Sequence, residues 1–245
     1  MRIVFSRKGF DSASGGGPSP IVDGRPVSLP IPAGEGRPGT PYDELGLAEH
    51  VAAHGHGADA LAHHDPMFLE DGTCLFGQCG AAQTHLENRG VGVGDLFLFF
   101  GLFREGRERP HHRIFGWLRV EETVRLADCG EARREALRRV SHPHALAMHS
   151  GNDTVWCGPG GTALAAHDEL RLSLPGGPPS VWRIPRWLEQ TGLSYHDRAD
   201  RWRGKGVLQS VARGQEFVAD IGRRQAPRKW AQRIVELIAT PPPIA

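Results

Sequence analysis

Lysine is scarce in this chain: Lys8, Lys205 and Lys229 stand alone, and arginine carries nearly all the remaining positive charge. Excess charge of either sign is missing too, since 29 basic residues face 28 acidic ones. A protein that holds nucleic acid by bulk phosphate attraction is far more basic, so any such contact must come from a local patch. Long apolar runs are absent. The longest, Leu96 to Phe103, is interrupted by Gly101 and falls short of the ~20 residues that span a bilayer, so no membrane partner is expected. Four cysteines in 245 residues do not make a disulfide framework. Cys74 and Cys79 are not spaced like a structural zinc pair, and no His-Glu-x-x-His helix occurs. Neither a structural zinc nor any other cofactor is expected. Met1 to Phe5 reads as a strand rather than a leader, which makes a cytoplasmic, reduced protein the expectation.

What is present is the composition of a folded protein, 39% hydrophobic and 23% charged. The order of elements predicts an α+β fold in one compact domain over 1–245, with a mainly antiparallel, partly barrel-like sheet and flanking helices. Strands are predicted at residues 1–6, at Leu96–Phe100 with an antiparallel partner at Arg113–Val120, and at Ala145–Met148, Thr154–Cys157 and Leu170–Leu174. Helical spacing is read over Tyr42–Ala53, Ala81–Asn88, Glu131–Val140 and Lys229–Ala239.

Four segments could carry chemistry. The loop after the first strand gathers Ser6, Arg7, Lys8, Asp11, Ser12, Ser14, Gly15 and Gly16. Glycine lets backbone N–H groups turn toward an anion, while Arg7 and Lys8 supply charge. His63, His64 and Asp65 form the one metal-like cluster, which would need a distant third ligand such as His85 or His112. Gln78, Gln83 and His85 are of the type that reads a base edge. Arg213, Gln215 and Glu216 close the set. A partly desolvated Glu216 would serve as a general base, with Arg213 one helical turn earlier lowering its pKa. The convergent reading makes Glu216, Asp11, His85 and Lys8 catalytic. It leaves Ser6, Arg7, Ser12, Ser14, Gly15, Gly16, Gln78, Gln83, Arg213 and Gln215 to bind substrate.

The runs Phe5–Gly16, Ser28–Pro32, Gly77–Leu86, Gly92–Gly101 and Arg213–Phe217 together resemble the third nucleotide-modification-associated domain family. The resemblance covers nearly the whole chain. It implies a part in bacterial and phage DNA base modification, and it brings no assignment of catalytic residues. A shorter likeness joins Gly94–Phe100 and Ile114–Glu121. These are similar to the barrel hairpin of EVE and ASCH domains, which belong to the PUA-like class that includes base readers.

Two classes of function follow. One is an enzyme acting on a modified base or nucleotide, for instance by hydrolysis or amidation of a deazaguanine substituent. The other is a non-catalytic module that binds a modified base within a modification or restriction system. An ADP-ribosyl transferase-like enzyme is a weaker third. The expected partners are a nucleotide or nucleic-acid base, in DNA rather than RNA, and other DNA-modification proteins. The number of titratable groups in separate segments favours the enzyme.

Overall fold

The computed structural model describes residues 1–212 and 214–241. In chain order the strands are β1 (Arg2–Arg7), β2 (Ser19–Val22), β3 (Arg25–Pro26), β4 (Thr40–Pro41), β5 (Leu61–Ala62), β6 (Met67–Phe68), β7 (Thr73–Gln78), β8 (Leu96–Glu105), β9 (His111–Arg119), β10 (Glu122–Arg125), β11 (Thr154–Thr162), β12 (Val181–Arg183), β13 (Trp202–Gly204), β14 (Val207–Gln209) and β15 (Glu216–Asp220). The helices are α1 (Ala48–Ala52), α2 (Gly80–Asn88), α3 (Glu131–Arg139), α4 (Pro143–Leu146), α5 (Arg186–Thr191) and α6 (Gln225–Ile238).

Among the described residues, ten strands form one mixed sheet. Its main path is β15-β1-β8-β9-β11-β7-β6, with β10 on β11 and the β2–β3 pair on β8. The sheet curls into a half-barrel, and with its helices the fold is α+β, as the sequence predicts. The continuous apolar run of β8 is explained by burial on both faces. Leu96, Leu98 and Phe100 join a core with Ile3, Phe5 and the Ala231, Ile234 and Ile238 stripe of α6. Phe97 and Phe99 point the other way, into a core with Val4, Phe76 and Trp156. Strand alternation thus feeds two cores from one segment.

One departure from simple pairing positions the site. β1 lies parallel to the first half of β8, from Ile3 opposite Leu96 to Arg7 opposite Phe100. β2 lies parallel to its end, from Ser19 opposite Phe103 to Ile21 opposite Glu105. The chain between them leaves the sheet, with the Lys8 N–H still bonded to Phe100 O at 2.8 Å. A single long strand is in effect interrupted by a loop.

Several local expectations are corrected. Ala145–Met148 is not a strand, because Pro143 occupies the first turn of α4 and sets a helical φ. Leu170–Leu174 makes only isolated bridges, Arg113 to Arg171 and Ser173 to Trp182. The helix expected over Tyr42–Ala53 shrinks to Ala48–Ala52, since Gly46 adopts φ 67° just before it. Glu216 opens a strand rather than lying on a helix, so the helical relation to Arg213 does not hold. Arg213 itself lies outside the described residues.

Candidate functional site

A cavity of about 580 Å³ opens where the chain leaves β1, within the range of small-molecule sites. Its walls come from Arg7 at the end of β1 and Lys8, Asp11 and Ser14 of the loop that follows, from Gln78 at the end of β7 and Cys79 just beyond it, and from Gln215 before β15. His63, Asp65, His144, His149 and Arg37 complete the polar lining.

Behind the wall stands Glu216. The β1–β15 register sets it opposite Ser6, and it is only 1% exposed. Three donors from separate segments meet on its Oε1: Ser6 Oγ at 3.0 Å, Lys8 Nζ at 3.1 Å and Gln78 Nε2 at 2.7 Å. Oε2 has no partner among the described residues. Lys8 Nζ also lies 4.3 Å from the centre of the Phe76 ring, a distance at which the ring face attracts a cation. Gln78 turns its own carbonyl to the Cys79 N–H at 3.0 Å.

The remaining residues singled out in the sequence divide. Arg7 donates to Ala212 O at 2.7 Å and Val211 O at 2.9 Å, between the rings of Phe100 and Phe217. Burial lowers its pKa, although Asp11 works the other way. Asp11 Oδ1 accepts the Ala13 and Ser14 N–H groups at 2.8 Å each and so holds the loop's turn. Gln215 faces the cavity. Ser12 is exposed, and neither it nor Gly15, Gly16, Gln83 or His85 lines the cavity. Gly15 packs on Phe10, where a Cβ would stand 2.3 Å from the ring, at φ 91°. Gln83 is buried among Trp156 Nε1 and Glu87. His85 bonds Ser194 Oγ at 3.0 Å and stacks on Tyr195. His64 lines a neighbouring cavity instead.

The structure adds residues that the sequence reading passed over: His142, His144, His149, Asp153 and the Cys79 side chain. Thr154 pairs with Gln78 across β11 and β7, which carries Asp153 to the end of β7. His144 Nδ1 approaches Asp153 Oδ2 at 3.3 Å. Asp153 is fixed in turn by the N–H groups of His149 at 2.6 Å and Ser150 at 2.9 Å. Burial would raise its pKa, but the bonds from His144, His149 and Ser150 outweigh burial and lower it. The ring nitrogens of His63, His144 and His149 lie within 4.8 Å of one another. Burial, then the neighbouring His144 and His149, push His63 down to about 3, so its imidazole is neutral and able to donate a lone pair. Asp65 Oδ2 stands 3.9 Å from His63 Nε2 and 4.0 Å from His144 Nε2. Burial lifts Asp65 to about 6 despite the opposing pull of His144 and Lys8. Burial, then Asp153, raises the Cys79 pKa, the reverse of what a nucleophilic thiolate needs. The sequence places three histidines between His142 and His149, followed by Asp153, but nothing local in it ties them to His63.

A family model described as nucleotide modification associated domain 3 matches residues 2–220. The chain belongs to that family. Nucleotide modification associated domain 3 thus includes the whole cavity wall, from Arg7 to Gln215, and connects the chain with nucleotide modification. No curated protein and no solved structure matches the chain. No helix among the described residues is long and apolar enough to cross a membrane.

Proposed function

We propose that this nucleotide modification associated domain is an enzyme that alters a base or nucleotide held in the cavity beside Lys8. The observation that carries the reading is the convergence of Ser6, Lys8 and Gln78 on one buried oxygen of Glu216. An ion pair with a desolvated carboxylate is rarely worth more to stability than an apolar pair of the same size. Its place against a polar cavity is where perturbed charge serves function.

In this reading Lys8 touches the substrate, and its ammonium group stabilises negative charge developing on an amide or ester carbonyl or a nitrile substituent of the base. Glu216 is a positioning residue: it does not line the cavity, and it acts through Lys8 and Gln78. The Gln78 and Gln215 amides supply the donors and acceptors that read a base edge. With the Cys79 thiol held protonated, water is the favoured nucleophile, and hydrolysis of the substituent, by addition of water to its carbon, is the reaction class.

The test is mass analysis of nucleosides in DNA from a host carrying the gene, compared with hosts carrying Lys8→Met or Glu216→Gln. A nucleoside that depends on the wild-type protein is expected to vanish with Lys8→Met. With Glu216→Gln it should form on the order of 10²-fold more slowly, with kcat falling more than KM rises. An unchanged nucleoside profile with folded Lys8→Met would overturn the reading. Binding of modified DNA without any change in nucleoside mass would make the chain a base-binding module instead.

A further inference from the structure

We infer that His63, His144 and His149 form a binding site for one divalent transition-metal ion of the zinc class. The three imidazoles come from two distant stretches of chain, and their nitrogens lie within 4.8 Å of one another. Ligand nitrogens at about 2.0–2.1 Å from a tetrahedral ion stand about 3.4 Å apart. The rings therefore need to close by about 1.4 Å at most, within reach of small side-chain rotations. Their ring centres are already 4.6–5.3 Å apart.

The surroundings are those of a ligand set rather than of a packed aromatic cluster. Asp153 Oδ2 takes the Nδ1 side of His144 at 3.3 Å, which leaves Nε2 as the nitrogen for an ion. A carboxylate behind a histidine is the usual support of a metal-bound imidazole. Asp153 is held by two backbone N–H groups, so the support is itself rigid. The absence of a side chain at Gly77 makes room for His144, since a Cβ there would stand 2.3 Å from the ring. A second carboxylate, Asp65, lies within 4.0 Å of both His63 Nε2 and His144 Nε2, adding negative charge to the site. All three histidines line the cavity, so the ion would keep an open position toward it, as three-ligand sites do. Nitrogen and oxygen donors of this kind suit zinc and its neighbours over calcium or magnesium.

The site can be tested without substrate and without any assumption about base modification. The full chain is stripped with chelator, and Zn²⁺ binding is measured by calorimetry, with Co²⁺ absorption as a probe of geometry. One ion per chain is expected, with a Co²⁺ spectrum of tetrahedral type lacking strong sulfur charge transfer. His63→Gln and His149→Gln should each weaken Zn²⁺ by on the order of 10²-fold or more, and Asp153→Asn by about 10–100-fold. Neither glutamine variant removes a side-chain hydrogen bond of 3.5 Å or less among the described residues, so both remain folded by thermal melting. His167→Gln, whose ring bonds Thr240 O instead, should bind as wild type. No stoichiometric Zn²⁺ binding, or binding unchanged in both His63→Gln and His149→Gln, would overturn the site. Loss of the ion in Cys79→Ser but not in those two variants would also overturn it, placing the metal on the alternative set of Cys79, His144 and Asp153.

Discussion

Gln78 Nε2 donates to Glu216 Oε1 at 2.7 Å, the shortest of the three hydrogen bonds meeting on that oxygen. It ties the end of β7 to the start of β15, two strands that lie far apart in the sheet order. The half-barrel is thereby bridged across its hollow by side chains, and the cavity lies against that bridge.

The charges in this bridge should be unequal in their effect on stability. Lys8→Met leaves a buried carboxylate with two neutral donors and is expected to cost about 3 kcal/mol or more. Glu216→Gln keeps an acceptor for Ser6 and Gln78 and leaves Lys8 beside the cavity, for about 1–2 kcal/mol. The double variant Lys8→Met with Glu216→Gln should be more stable than Lys8→Met alone. Urea denaturation of the three proteins measures the order, and a Lys8→Met midpoint equal to wild type would show the pair to be energetically idle.

Gly77→Ala should strike the site through His144. The added methyl would lie 2.3 Å from Cδ2 of that ring, so either the ring leaves Asp153 or the strand shifts. Overpacking of this kind costs about 1–3 kcal/mol. Thermal melting is the check, with a Tm within experimental scatter of wild type as the contrary result.

His111 makes the fold sensitive to acid. It is buried, neither ring nitrogen has a partner among the described residues, and burial followed by Arg171 and Arg113 lowers its pKa to about 4. The unfolded chain takes up its proton near pH 6.5, whereas the folded chain resists until about 4. The folded state is thus fully favoured above pH 6.5 and loses up to about 3 kcal/mol as the pH falls through that window. His111→Leu should flatten the stability profile between pH 6.5 and 4 and leave stability at pH 8 equal or higher. A profile as steep as wild type would count against this assignment.

Tyr42 should act at the other end of the scale. Its hydroxyl donates to Pro30 O at 2.8 Å, and burial raises its pKa to about 12. The unfolded phenol ionises near pH 10, so the folded state keeps its advantage below pH 10 and loses about 3 kcal/mol as the pH climbs to 12. Ultraviolet titration should therefore show a phenolate step near pH 12 that is absent in Tyr42→Phe. A wild-type titration that ends before that step, identical to the one of Tyr42→Phe in its upper range, would contradict the burial of Tyr42.

What the sequence reveals here is what local pattern decides. β1, the β8–β9 hairpin, the first part of β11, and helices α2, α3 and α6 follow from runs and spacings within a dozen residues. The loop at Lys8 and the Gln78 and Gln215 segments could be picked out by polarity beside glycine. The histidine cluster could not, because it depends on register. The pairing of Thr154 with Gln78 sets Asp153 behind His144 at the cavity wall, and no periodicity encodes which strands will pair. Gln83 and His85 show the converse. Their types suggested a base reader, but as residues of α2 they turn toward Trp156 and Ser194.

The placement of β1 between β8 and β15 has a consequence for biosynthesis. The first strand waits for a neighbour 210 positions later before Ser6 meets Glu216. At typical rates of about 5–20 residues per second, the ribosome needs roughly 10–40 s to supply it. During that interval one flank of β1 is an open edge of apolar residues, Ile3, Val4 and Phe5, able to recruit a wrong strand. Nascent chains stalled before Asp220 should accordingly demand chaperone protection, whereas full-length chains released from the ribosome should not.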